Sequence, residues 1–149
     1  MESGSTPLFF LFYTRIPRVP IQQRINERNK MTQLTGYVPK GWGHELIFAT
    51  NDKYCGKLLK FNKGSKFSMH FHAVKDETWY VLSGKFEVRY IMTQDASIRT
   101  EILDQGMVWR NEPLEPHQLI CLEAGTIIEV STPDSVEDNY RVGPGDSQK

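Results

Sequence analysis

Residues 70–84 read HFHAVKDETWYVLSG. Two histidines stand one residue apart, a glutamate follows at position 77, and a glycine closes the run at position 84. The chain has 4 histidines in all, and a third, His117, lies far downstream near Pro113 and Pro116. If residues 66–72 form a strand, alternate side chains share a face, so Ser68, His70 and His72 point one way and Phe67, Met69 and Phe71 the other. Two imidazoles about 7 Å apart along one face can converge on a single ion. After a short turn Glu77 opens the next strand and shares its face with Trp79 and Val81. Pairing of those two strands lets its carboxylate join the histidines, and His117 completes the set from a strand distant in sequence.

The surrounding sequence is strand-like throughout. From Glu45 onward, short runs rich in Val, Ile, Phe, Tyr and Thr alternate with turn residues, and no long stretch has helical period. The pattern predicts strands near 45–49, 54–61, 66–72, 77–83, 85–91, 98–103, 107–111, 117–121 and 126–131. Many short, evenly spaced strands in one domain mean a β-sandwich or small barrel. A chain of 149 residues can bury one such core without disulfides. Its two cysteines, Cys55 and Cys121, form neither a CxxC pair nor a disulfide framework, which fits a reducing, cytoplasmic setting.

Charge balances at 18 basic against 18 acidic residues, so nothing argues for a nucleic-acid partner. No apolar run approaches the roughly 20 residues that cross a bilayer, and no membrane partner is expected. Residues 1–30 carry five Arg or Lys against two Glu and differ in character from the rest. This proline-broken leader fits a disordered extension, an organelle-targeting peptide, or sequence preceding a true start at Met31. The last is favoured because the domain pattern begins soon after Met31. The expected organisation is therefore a leader at 1–35, a β-barrel domain at 36–141 and a flexible tail at 142–149.

Three neutral imidazoles and one carboxylate suit one divalent transition ion, Fe, Mn, Ni, Zn or Co, and poorly suit calcium or magnesium. Four protein ligands leave coordination positions for a substrate. A lone histidine is usually a satisfied packing group, and His44, beside Trp42 and Gly43 near a turn, is taken as one. For the other three that explanation is weaker, because an unpaired polar cluster inside a barrel carries a desolvation cost that a metal removes.

These residues resemble the first motif of the cupin superfamily, which Gly64, His70, His72, Glu77 and Gly84 match in every fixed position and interval. The second cupin motif is matched in part. Gly106 and His117 keep its spacing, but Glu112 replaces its proline, Leu114 its glycine and Cys121 its final asparagine, so the turn before His117 is expected to differ. The resemblance covers roughly residues 40–132. It implies an all-β double-stranded β-helix, or jelly roll, with His70, His72, Glu77 and His117 as metal ligands. Three further stretches, GWGHE at 41–45, YCGKLLKFNKG at 54–64 and VEDNYR at 136–141, are similar to the cupin portion of type II phosphomannose isomerases and to small cupins of sugar and capsule pathways.

Two other residues are candidate substrate contacts. Alternation puts Lys57 on the apolar face of Cys55, Leu59 and Phe61, where it needs a counter-charge or a polar ligand such as phosphate, unless it snorkels to water at the barrel mouth. Trp79, on the face of Glu77, serves either as a wall for a sugar ring or as plain core. Cys121 is expected to pack. Thr78, Tyr80 and Leu82 form an apolar outer face that suggests a homodimer. The leading functional expectation is a metal-dependent sugar or sugar-phosphate isomerase or epimerase whose small-molecule partner is a carbohydrate. A non-haem iron dioxygenase and a non-catalytic sugar-binding or sensor cupin are the alternatives.

Overall fold

The computed structural model describes residues 36–148. The expected leader lies outside the described residues. Among the described residues nine strands carry the fold: β1 (Gly36–Lys40), β2 (Gly43–Thr50), β3 (Cys55–Phe61), β4 (Met69–Phe71), β5 (Glu77–Ile91), β6 (Ile98–Leu103), β7 (Val108–Asn111), β8 (His117–Ser131) and β9 (Tyr140–Gly143). A single 3-10 turn, Asp146–Gln148, follows β9.

All pairings are antiparallel, and β5 and β8 run side by side along their whole length. One end of that ribbon is flanked by β3, β2 and β1 on one side and by β7 on the other. The other end is flanked by β4 and β9 on one side and by β6 on the other. The ribbon thus bends from one sheet into a second, which gives the all-β jelly roll the sequence implied.

The bend shows why the run at 70–84 ends in glycine. The predicted strands 77–83 and 85–91 are one strand, as are 117–121 and 126–131, and the pairing slips between Val81 and Phe86. At the crossing Gly84 has φ +85°, and a Cβ there would lie 2.6 Å from the carbonyl oxygen of Glu123. Gly125 faces it from β8, where a Cβ would lie 2.1 Å from the oxygen of Ser83. Only two facing glycines let the backbones come this close.

Three other expectations are corrected. The strand at 66–72 shrinks to Met69–Phe71, with only an isolated bridge at Lys66, so strict alternation stops before Phe67. Phe67 consequently turns inward, and its ring lies 5.1 Å from that of His70 and 5.7 Å from Trp79. The end of the chain is tied to the barrel rather than trailing from residue 142. There β9 pairs with β4, Asp146 Oδ2 accepts from Lys66 N at 2.9 Å, and Gly145 packs against the Phe67 backbone. The turn before His117 keeps the left-handed conformation that glycine adopts freely, but a leucine supplies it, since Leu114 has φ +68°.

The core between the sheets is built from Leu59, Phe61, Trp79, Val81, Phe86, Val88, Leu119, Cys121 and Ile127, all buried. Each fully buried aliphatic or aromatic side chain contributes about 1.5–3 kcal/mol. Cys121 packs here, its thiol directed to the carbonyl of Glu123 at 3.2 Å, and burial pushes its pKa up. On the outer surface Tyr80, Leu82, Val108 and Val130 are exposed on neighbouring strands.

Candidate metal centre

His70 lies in β4 and His117 opens β8, and the two are registered partners across that ladder. His72 follows β4 by one residue. Ring centroids are 4.6 Å apart for His70 and His117, 4.9 Å for His70 and His72, and 5.9 Å for His72 and His117. One nitrogen from each ring lies within 4.8 Å of the others, and all three side chains are buried.

The other ring nitrogens are tied to the backbone. His70 Nδ1 donates to the oxygen of Ser68 at 2.8 Å, His117 Nδ1 to that of Glu115 at 2.8 Å, and His72 Nδ1 to that of Asp138. This arrangement places a proton on Nδ1 of each ring and leaves Nε2 directed toward the other rings. Burial pulls the pKa of His70 down to about 3 and lowers that of His72, so neither proton competes for the lone pair at neutral pH. Among the described residues, Nε2 of His72 and Nε2 of His117 are buried without a hydrogen-bond partner. Buried, unpartnered lone pairs converging on one point fit a transition ion. His44 stands apart on β2, its ring 5.0 Å from Tyr37.

Glu77 adjoins this cluster from the opposite sheet. Its Oε1 lies 3.0 Å from His117 Nε2 and accepts from Asn111 Nδ2 at 3.2 Å, while Oε2 lies 3.8 Å from His72 Nε2. Oε2 also makes a 2.7 Å ion pair with Lys75 Nζ. Burial alone would raise the carboxyl, but His117 and Lys75 outweigh it and hold its pKa well below the ordinary range. A carboxylate oxygen facing an imidazole lone pair at 3.0 Å needs a proton or a cation between them. The structure therefore brings the three histidines together and sets Glu77 beside them with one oxygen held by an ammonium.

Lys75 was hidden in the sequence, where it falls in an apparent turn. It is buried, and its Nζ lies 2.7 Å from Glu77 Oε2, 2.7 Å from Glu129 Oε1 and 3.3 Å from Asp134 Oδ1. Lys57 points inward as alternation requires, but protein carboxylates meet it. Asp134 Oδ2 is at 2.7 Å, Glu129 Oε1 at 3.8 Å and Glu45 Oε2 at 3.9 Å. Burial opposes the charge on both lysines, yet Glu129 and its neighbours raise both pKa values. Glu129 itself is pushed up, by burial and then by the charge of Glu77.

A signal for Glu129 existed in the sequence. It alternates with Ile127 on the inner face of β8, directly across from Lys57, which needed a counter-charge. The network, His70 and His72 line one open cavity of about 580 Å³, walled on its apolar side by Trp42, Leu59 and Phe67; His117 is not part of that lining. Trp79 also reaches it, but it is 1% exposed, and its ring sits edge-on to His117 at 5.4 Å. That places it chiefly in the core behind the histidines.

Fold and site together define a cupin-fold protein with a candidate transition-metal centre. No family model matches the chain, and no curated protein matches it in sequence. Solved structures do. CapF from Staphylococcus aureus, a capsular polysaccharide assembling protein, is 17% identical with a TM-score of 0.63 over 72% of this chain and 32% of that one. Oxalate decarboxylase from Bacillus subtilis is 16% identical with a TM-score of 0.62 over 71% and 29%. KdgF from a Halomonas species is 22% identical with a TM-score of 0.53 over 63% and 81%. The chain spans only about a third of the length of the first two, and at these identities the likeness shows the cupin fold. Among the described residues no helix is long and apolar enough to cross a membrane.

Proposed function

We propose that this chain is a metal-dependent cupin acting on a sugar or sugar derivative by isomerase or epimerase chemistry. The observation that carries the reading is the cavity itself. His70 and His72 of the three-histidine cluster, a raised carboxyl at Glu129, an ammonium at Lys75 and an apolar wall all line one space of about 580 Å³, with His117 packed directly behind them. A sugar ring has the same two characters, with a hydroxylated edge and apolar C–H faces. The similarity of residues 41–45, 54–64 and 136–141 to sugar-pathway cupins, and the polysaccharide context of CapF, support the same substrate class.

A divalent ion held by His70, His72 and His117 would polarise a substrate carbonyl as a Lewis acid. The protein's own groups supply the rest. Glu129, with its pKa raised, is suited to take a proton from carbon and return it. Lys75 donates to Glu129 Oε1 at 2.7 Å and holds that oxygen in place. Lys57 is already paired with Asp134, so this wall favours an uncharged sugar over a sugar phosphate.

The test is solvent-deuterium incorporation into a panel of aldoses and ketoses, under anaerobic conditions, with protein reconstituted with Mn, Fe, Co, Ni or Zn. Metal-dependent deuteration beside the carbonyl, lost in His117→Ala and in Glu129→Gln, is the expected result. Turnover only with iron and oxygen would replace this reading with a dioxygenase. Sugar binding without exchange would replace it with a binding or sensor protein.

A further inference from the structure

His72 is the one histidine of the three that lies outside a regular strand, so no ladder holds its ring in place. Its anchors come from two loops. Leu114 N donates to its carbonyl at 2.7 Å, and its Nδ1 donates to the carbonyl of Asp138, in the segment between β8 and β9. The side chain of Asp138 grips the residues that follow His72. Its Oδ1 accepts from Ala73 N at 2.6 Å, and its Oδ2 accepts from Val74 N at 3.1 Å and Lys75 N at 2.9 Å. One residue thus contacts the turn 72–75 four times, through its main chain and both carboxylate oxygens.

We propose that Asp138 is the positioning residue of the metal centre: its carboxylate sets the 73–75 turn, and its carbonyl then holds His72 with Nε2 turned toward His70 and His117. The inference rests on the metal reading of the three histidines. Two features strengthen it. The same three backbone N–H groups orient Lys75, so the ammonium beside Glu77 and the third imidazole depend on one carboxylate. The segment carrying Asp138 also supplies Asp134 to both lysines, and Ser135, Val136 and Asn139 to the cavity wall. Loss of an outer hydrogen-bond partner of a ligating histidine typically weakens metal binding about 10- to 100-fold.

The experiment is a cobalt(II) titration of the full, metal-stripped chain, followed by visible absorption, for wild type, Asp138→Ala and Asp138→Asn. The temperature is one at which circular dichroism shows all three folded. Asp138→Ala, which loses the carboxylate that sets the turn but keeps the main-chain carbonyl, is expected to bind near the lower end of that range, about 10-fold more weakly, with an altered d–d band, and Asp138→Asn, which keeps one acceptor oxygen, to fall between. A purely structural role for Asp138 would lower the melting temperature but leave affinity and band unchanged in the folded protein, and that result overturns the inference. Should Asp138→Ala fail to fold, Asp138→Asn decides: several-fold weaker binding supports the inference, and wild-type affinity and spectrum overturn it. A wild type that takes up no cobalt overturns the metal reading and this inference with it. Normal cobalt binding by wild type and both variants overturns this inference alone.

Discussion

Replacing Lys75 with methionine removes the cation shared by Glu77, Glu129 and Asp134 while nearly preserving side-chain volume. Its Nζ lies 2.7 Å from both Glu77 and Glu129, and its side chain is 4% exposed. At an effective dielectric near 20, each such contact is worth about 6 kcal/mol of gross attraction, most of it offset by desolvation. What decides the outcome is the asymmetry of removing one partner, which leaves buried carboxylates unpaired and costs about 3–5 kcal/mol. The pH dependence follows from the directions of the two shifts. Glu77 is held well below its ordinary value of 4.5, so its ionised form contributes stability above pH 4.5 that is lost as pH falls through the depressed value. Glu129 is shifted upward, so its proton favours the folded state at low pH and its ionisation is penalised as pH rises. Loss of Lys75 weakens the first depression and enlarges the second elevation. The variant's deficit should therefore be about 3–5 kcal/mol at pH 8 and shrink steadily as the pH approaches 4. Urea unfolding of EDTA-treated protein at several pH values measures this. A deficit below about 1 kcal/mol at pH 8, or one independent of pH, would refute the shared-cation argument.

His70→Ala and His117→Ala should each abolish stoichiometric metal binding, while His44→Ala leaves it intact; elemental analysis of reconstituted protein checks all three, and full metal content in the first two would displace the site. Gly125→Ala should cost about 3 kcal/mol or prevent folding, because its Cβ would lie 2.1 Å from the backbone oxygen of Ser83, and a wild-type melting curve would contradict that clash. Leu114→Gly should stabilise the protein by about 0.5–1 kcal/mol, since relief of the left-handed strain exceeds the added entropy of the unfolded chain; a lower melting temperature would show that the exposed leucine packs usefully. We propose that the exposed face of Tyr80, Leu82, Val108 and Val130 joins two copies of the chain, so Tyr80→Glu with Val130→Lys should shift a dimer to a monomer in sedimentation, and a monomeric wild type would reject this.

The strands from β2 to β8 were legible because alternation and turn residues are local signals, and three of the four residues carried by the motif resemblance converge as buried histidines. What escaped was non-local. The strand β1 contains Pro39, which argues against a strand, yet proline is tolerated because, among the described residues, β1 is an edge paired only with β2. The strand β9 lies in a run that reads as a polar tail, and only its pairing with β4 makes it regular. Ser83–Gly84 reads as a turn in isolation; that it is a bend depends on Gly125, some forty residues away in sequence. Lys75 carries no local mark of burial, since Asp138 folds its turn inward from the far end of the domain.

That buried network also bears on the histidines. Lys57, Lys75 and Lys40, which lies 3.3 Å from Glu45, contribute three positive charges, and Glu45, Glu77, Glu129 and Asp134 four negative ones, so with all seven ionised the set carries three minus four, or −1. Closing the barrel over this imbalance carries a desolvation cost, which the raised pKa of Glu129 relieves by one proton. His70 and His72, whose pKa values burial lowers, supply no positive charge at neutral pH. A divalent cation held by the histidines would offset the excess carboxylate charge and relieve the approach of the Glu77 oxygen to His117 Nε2 at 3.0 Å. The lysine network and the histidine site thus meet at Glu77: one of its oxygens is held by Lys75, and the other, 3.0 Å from His117 Nε2, is a physical reason, independent of any motif, for the site to hold a proton or a cation.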